Sequence, residues 1–405
     1  MSGNPGTPSE TVSSPALPDA RETGNARVRV GLRSRLRAYW LTPAGKAIVL
    51  ATLLALLIRL FTLTRPGFLT SVNEYDDGVY LGASIRLLQG ALPYKDYAFV
   101  QPPGIILIGI PAALVGQLTT SAAGMAVARV ATALVSTACV PLAGNLVRYR
   151  GALVTAVTCG VLAIYPADIT TAHTLLLEPW MNLLCLLGAN AAFRRGHLTR
   201  PGRLAWAGVA LGAAGTIKYW AAAPAAVLLA FCVLSGTERA RRTRAYIGGL
   251  AAGFVIPVLP FIIGAPVMFL RSTILYQVTR DGTPVPTSMR LAHLTGLIDF
   301  LSRKTGGLSL LAGSSSLFAS DSTANTPSSN AGWLPYAFAA VIIAVIAIAF
   351  AWNPKRPSPL EWFALTTACL SSLGLLFYSA FFYHYPSWAG PWIAITVGCA
   401  AGVLA

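Results

Sequence analysis

The chain has 405 residues, of which 55% are hydrophobic and only 11% charged, with a mean hydropathy of +0.62. Those values exclude an ordinary soluble domain and describe a multi-pass membrane protein. The formal net charge of +16 would suggest nucleic acid in a soluble protein. Here the basic residues fall largely in short loops between apolar runs, where the positive-inside rule accounts for them and no nucleic-acid partner is needed.

Residues 1–30 are rich in Ser, Pro, Gly and Thr, and Arg27, Arg29, Arg33, Arg35 and Arg37 follow. This composition predicts a disordered basic tail over 1–38 ahead of a membrane domain over 39–405. The tail is too long and polar for a signal peptide, and no small-residue cleavage site follows the first apolar run. A cytoplasmic tail makes the first helix, 47–65, exit outward.

The first outer loop, 66–126, opens on an acidic cluster of Glu74, Asp76 and Asp77. The residues after it are amphipathic, with Leu81, Ile85 and Leu88 on one helical face and Gly82, Arg86 and Gln89 on the other. That pattern predicts a helix lying on the membrane surface. Lys95 and Asp96 form a second charged pair before Pro102-Pro103. The run 105–118 is only about 14 residues, too short for a span, and reads as a re-entrant or interfacial piece of the same loop.

Further apolar segments follow at 127–147, 151–166, 175–193, 204–217, 220–235, 246–264, 336–352, 360–379 and 388–405. If all of them span, Arg148/Arg150, Arg194–Arg203, Arg239–Arg244 and Lys355/Arg356 fall on the cytoplasmic side together. Counting 105–118 as a span would place all four basic clusters outside. The expectation is therefore an all-α polytopic protein of about ten transmembrane helices in the plasma membrane. The last segment ends without a basic tail or soluble domain, which reads as a compact chain or one lacking further helices.

On this topology the outer side collects ionisable residues, which are costly beside apolar segments and therefore informative. The second outer loop, 167–178, carries Asp168, His173 and Glu178. The long outer loop, 265–334, is polar, with Arg271, Arg280, Asp281, Arg290, His293, Asp299, Arg303 and Lys304, and its 313–332 tract reads as mobile. Short outer turns add Lys218-Tyr219-Trp220 and Tyr383-His384-Tyr385. The six cysteines lie inside apolar segments without CxxC spacing, so neither a disulfide framework nor a zinc site is indicated.

Carboxylates facing a wet cavity at a membrane boundary suit general-base chemistry. Lys95, Arg129 and Lys218 could hold a phosphate. Transfer from a lipid-phosphate donor needs one base on the acceptor hydroxyl and positive charge on the departing phosphate, with no dedicated acid. A divalent cation held by the carboxylates could supply part of that charge. Structural readings compete: Asp76 or Asp77 as a helix cap, Asp168 as a turn or cap residue, and Lys95–Asp96 as a local ion pair. Arg129 and Lys218 could snorkel to headgroups, and the outer Tyr and Trp residues could form an interfacial belt. A transporter or flippase for a lipid-linked sugar is the rival function, followed by a non-catalytic scaffold. Transporters place charges near the midplane on broken helices, whereas these carboxylates cluster at the boundary.

The run Tyr75-Asp76-Asp77-Gly78-Val79-Tyr80, then Leu88-x-Gly90-x-x-Pro93-Tyr94-x-Asp96, then Pro102-Pro103 resembles the first outer loop of the GT-C membrane glycosyltransferases. The nearest subset is similar to the protein O-mannosyltransferase and aminoarabinose-transferase group. Arg129, Leu177-Glu178-Pro179, Thr216-x-Lys218 and His384-Tyr385 fall at places familiar from that group, over roughly residues 47–400. Asp77 stands where Glu is common. The resemblance implies inverting transfer of a sugar from a polyprenyl-phosphate donor, on the outer face, to a lipid, glycan or protein hydroxyl. It implies Asp76, Asp77 and Glu178 as catalytic candidates, with Lys95, Asp96, Arg129, Lys218, Tyr219, His384 and Tyr385 binding substrate.

Overall fold

A computed structural model of the chain describes residues 40–71, 75–234, 236, 238–280, 282, 284–297, 332–352 and 356–405. The 1–38 tail, Glu74, Asp281, Asp299, Arg303, Lys304, Lys355 and the 313–332 tract apart from Gly332 lie outside the described residues. All that follows concerns the unit Pro43–Ala405.

Each of the ten predicted spanning segments contains a helix. They are α1 (Pro43–Leu63), α4 (Ser121–Val147), α5 (Ala152–Ile164), α7 (Leu177–Ala192), α8 (Pro201–Gly215), α9 (Ala222–Leu234), α10 (Arg239–Gly264), α14 (Leu334–Ala351), α15 (Pro359–Phe377) and α16 (Gly390–Leu404). Between α1 and α4 lie α2 (Tyr75–Leu88) and α3 (Gly104–Leu118). Among the described residues five helices are long and apolar enough to cross a bilayer by themselves, α1, α4, α10, α14 and α15. A sixth such unit arises if α5 is counted with α6 (Pro166–Ala172), across a 53° bend at Tyr165-Pro166. The shorter α7 buries Leu177, Met181, Cys185, Leu186 and Ala189 inside the bundle, whereas α14 leaves Val341, Ile343 and Val345 exposed to the surroundings.

Small residues set the closest helix crossing. Gly208 and Gly212 of α8 lie against the backbone of Tyr246 and Leu250, and Gly249 and Gly253 of α10 lie against the carbonyls of Ala205 and Val209. A side chain at any of the four would collide with main chain, so two four-residue glycine repeats let the axes approach. The numbers increase together along both helices, so α8 and α10 run parallel.

Two segments differ from expectation. The start of the long outer loop is helical, with α11 (Pro266–Leu270), a π-helical turn (Arg271–Leu275), α12 (Tyr276–Thr279) and, further on, α13 (Thr287–Thr295). The stretch 267–279 contains no Gly or Pro and buries Phe269 and Thr273, so nothing in it breaks a helix. In α2 the buried stripe is Asp77, Tyr80, Leu81 and Ser84, while Leu88 is exposed. The helix docks on α3 through Ser84 Oγ, which donates to the Ile106 carbonyl at 2.9 Å. Hydrogen bonding therefore fixes its inward face, not apolarity alone.

The basic loops expected on one side do meet. Arg150 donates from Nε and Nη2 to Glu361 at 2.6 and 2.7 Å, and Tyr149 donates to the same carboxylate at 2.8 Å. Glu361 also forms the capping box of α15 with Ser358. Gly196, at φ +84° in the β1–β2 hairpin (Phe193–Arg194, His197–Leu198), accepts from the Leu360 N–H at 3.0 Å. Three of the four basic loops are thus tied together at the end of the bundle opposite the acidic cluster.

Candidate active site

Successive residues of a helix point about 100° apart, and the first turn of α2 uses that angle to separate its two aspartates. Asp77 turns inward and is fully buried. Its Oδ2 accepts from Arg129 Nε at 3.1 Å and from Arg129 Nη2, and its Oδ1 accepts from the Leu175 N–H at 2.5 Å. Arg129 Nη1 donates to the Phe68 carbonyl at 2.7 Å. Burial raises the Asp77 carboxyl above its ordinary range, opposed by the Arg129 guanidinium. The clasp joins the end of the α1–α2 connection, α2, α4 and the α6–α7 connection.

Asp76 is half-buried on a neighbouring face, one helical turn before Tyr80, and its charge acts on that phenol. Its charge acts on Lys218, His384 and Tyr385. These three surround Glu178, in the first turn of α7. Lys218 Nζ donates to Glu178 Oε1 at 2.6 Å, and His384 Nε2 lies 3.8 Å from the same oxygen. The ammonium stands 3.7 Å from the Trp220 ring centre and 4.1 Å from that of Tyr385, in cation–π contact with both. Burial lowers the Lys218 ammonium, an effect that Glu178 offsets. Burial also lowers His384 and raises Tyr385, so the imidazole and the phenol are neutral near pH 7.

Backbone packing places these groups. The Gly104 N–H donates to the Thr216 carbonyl at 2.7 Å, and a Cβ on Gly104 would lie 2.5 Å from Thr216 Oγ1. The Pro102-Pro103-Gly104 corner therefore sits directly on the segment that carries Lys218. Tyr94 anchors the same loop. It is buried, at φ +69°, packs edge-on against Phe99 and Phe269, and donates to the Gln101 carbonyl at 2.6 Å. A non-glycine residue in that region is strained and persists because its surroundings over-determine it.

Arg280, just past α12, is a further cation of the site that its sequence context did not single out from the other charges of the long loop. Its charge acts on Lys218 and His384, and its guanidinium lies 5.0 Å from the Phe382 ring centre. Gln277 Nε2 donates to the Val100 carbonyl at 2.6 Å and Ser379 Oγ to the Arg280 carbonyl at 3.0 Å. These bonds fasten the segment between the first and last outer loops.

The cluster thus brings together Asp76, Glu178, Lys218, His384 and Tyr385 from the candidates. Asp77 and Arg129 form the adjacent clasp, where Nε, Nη1 and Nη2 of Arg129 all donate within the protein. Lys95 and Asp96 are exposed. Asp96 Oδ2 accepts from the Leu92 N–H at 2.6 Å, closing its own turn and not pairing with Lys95. Tyr219 turns away from the cluster and donates to Thr273 Oγ1 at 3.0 Å. Asp168 caps nothing; its Oδ1 accepts from Ser387. Among the described residues no three His, Cys, Asp or Glu side chains converge as metal ligands.

No family model and no curated protein sequence matches the chain. Solved structures do. ArnT from Cupriavidus metallidurans bound to undecaprenyl phosphate superposes with a TM-score of 0.59 at 16% identity, over 87% of this chain and 59% of that one. The same protein in the apo state gives 0.57 at 17% identity, with the same coverage. The Archaeoglobus fulgidus oligosaccharyltransferase in the apo form gives 0.54 at 14% identity, over 89% of this chain and 50% of that one. The chain spans about half to three-fifths of the length of these structures, and its fold is GT-C-like.

Proposed function

We propose that this GT-C-like chain is a glycosyltransferase that moves a sugar from a polyprenyl-phosphate donor to a lipid, glycan or protein hydroxyl on the outer face of the plasma membrane. One observation carries the reading: the charge of half-buried Asp76 acts on a cluster in which buried Lys218 bonds Glu178 at 2.6 Å and packs on Trp220 and Tyr385, with His384 3.8 Å from the same carboxylate. The ArnT neighbour with undecaprenyl phosphate bound supports the donor class.

In this reading Asp76 takes the proton of the acceptor hydroxyl as its oxygen attacks the anomeric carbon. The bond from that carbon to the phosphate oxygen breaks on the opposite face, and the electron pair leaves with the polyprenyl phosphate, inverting the centre. Lys218, Arg280 and the exposed Lys95 supply positive charge to the departing phosphate. Glu178 keeps the Lys218 ammonium charged and aimed, and is the second candidate for the base. Asp77 contributes by fixing α2. Asp96 shapes the turn that presents Lys95, and Tyr219 supports the Lys218 segment from behind. Tyr385 and His384 form a wall for the sugar. No residue role in this reading depends on a divalent cation, and the chelator arm of the assay below decides whether the reaction uses one.

The test is transfer in proteoliposomes from a panel of radiolabelled polyprenyl-phosphate sugars to membrane acceptor extract, with and without chelator, comparing wild type with Asp76→Asn. Incorporation by wild type and its loss in the folded variant are expected. Incorporation unchanged in Asp76→Asn would move the base to Glu178. Flipping of labelled lipid across the bilayer without incorporation would overturn the enzyme in favour of a transporter.

A further inference from the structure

Ser387 lies three residues beyond His384, in the 3-10 turn Tyr385–Trp388, and is fully buried. Three polar groups from two other helices converge on it. Its hydroxyl donates to Asp168 Oδ1 at 2.5 Å, and Thr171 Oγ1 donates to Ser387 Oγ at 3.3 Å. Asn182 Nδ2 donates to the Ser387 carbonyl at 2.7 Å. Asp168 and Thr171 belong to α6. Asn182 lies one turn beyond Glu178 on α7, on the same helix face.

The α6 end of this network is itself fixed. Arg59 of α1, buried, donates from Nη1 to the Ala163 carbonyl at 3.1 Å and from Nε to Ser136 Oγ at 2.9 Å. It thereby holds the α5–α6 bend, and its charge acts on Asp168. A Cβ on Gly390 would lie 2.6 Å from Asp168 Oδ2, so the chain leaving the turn passes directly against the carboxylate. A buried aspartate is costly unless its bonding fixes something that packing alone would leave loose. Here it fixes the height and rotation of a turn whose other residues, Tyr385 and Trp388, pack on Trp220 at 4.4 and 4.8 Å between ring centres.

We propose that Asp168, Asn182 and Ser387 are positioning residues that hold His384 and Tyr385 against Glu178 and Lys218. None of the three touches substrate in this reading. The consequence for transfer rests on the proposed function, but the placement itself does not.

The experiment uses full-length protein in nanodiscs with carbon-13-labelled histidine. His384 is assigned by the loss of its signal in His384→Gln, and its titration is followed in wild type, Ser387→Ala and Ser387→Cys. Thr367→Val serves as a control, because Thr367 is buried and bonds only within α15, to the Phe363 carbonyl. In Ser387→Ala the His384 midpoint should move by roughly half a pH unit or more toward the free value. Ser387→Cys, which keeps a weak donor, should restore part of the shift, and Thr367→Val should leave it unchanged whatever its melting temperature. In the transfer assay Ser387→Ala should lose about tenfold in kcat with KM for the donor little altered. A folded Ser387→Ala protein with the wild-type His384 signal and titration overturns the proposal. Absence of transfer in wild type would remove the proposed function while leaving the histidine result to decide the placement.

Discussion

Asp76 and Asp77 are adjacent in the chain, yet their carboxylates belong to separate networks. Asp77 is locked by Arg129 and the Leu175 N–H, while Asp76 faces Tyr80 and acts on the Lys218–His384 cluster. Substituting each should therefore give opposite phenotypes. Asp76→Asn should lower transfer by about 10²- to 10⁴-fold, the range of a general base, with the melting temperature unchanged. Asp77→Ala leaves the Arg129 charge buried without its counter-ion, a loss of about 3–5 kcal/mol. It should unfold at a clearly lower temperature in detergent. Similar melting temperatures for the two variants would contradict the division of labour.

The buried Lys218–Glu178 pair invites a double-mutant cycle. Lys218 is 6% and Glu178 1% exposed, so removing either partner alone strands the other charge at a cost of about 3–5 kcal/mol. Lys218→Met combined with Glu178→Gln should recover much of that loss in thermal unfolding. The same double variant should remain inactive in transfer, because the charge offered to the phosphate is gone. Additive losses in stability would mean that the two groups act independently.

Acid should weaken the fold through three histidines. Burial lowers His173 and His293 to about 4, and lowers His384 as well. The unfolded chain therefore takes up these protons first, near pH 6.5. Stability is full above that pH and falls as the pH drops toward about 4. Melting temperature measured from pH 7.5 to 4.5 should decline below about 6.5, and His293→Phe should flatten the decline.

The α8–α10 crossing separates two neighbouring glycines. A Cβ on Gly249 would collide with the Ala205 carbonyl, whereas one on Gly248 meets nothing within 4 Å. Gly248→Ala should be neutral or stabilising by up to about 1 kcal/mol, the helix propensity difference. Gly249→Ala should sharply reduce the yield of monodisperse protein in size-exclusion chromatography.

Hydropathy made the ten apolar helices legible, because each lies in an apolar run bounded by charged or turn-forming residues, although five of them are shorter than a full span. Length does not set 105–118 apart, since α3 has 15 residues, as α8 and α16 do, and α5 and α9 have 13. The inward face of α2 is only partly legible: Leu81 is buried as its pattern implies, but a hydrophobic reading ranks Leu88 above Asp77 and Ser84, whose burial depends on Arg129 and the Ile106 carbonyl from elsewhere in the chain. Arg129 shows the same difficulty. One sequence cannot tell whether a membrane arginine seeks phosphate, headgroups or a buried aspartate 52 positions away. Asp168 and Ser387, separated by 219 positions, carry no local mark that they meet. The Glu178, Lys218 and His384 candidates came from resemblance and from their shared boundary position, and tertiary packing then gathered them.

The glycine crossing has a mechanical consequence. Lys218 leaves the end of α8, and the segment bearing Arg280 leaves the end of α10, by way of α11 and α12. Since those two parallel helices meet backbone to backbone, they behave as one stiff lever and not as two springs. Because Gly104 bonds to Thr216 and Gln277 to Val100, the first outer loop that carries Asp76 is fastened beyond the ends of both helices, so a displacement of the pair carries the cations and that loop together.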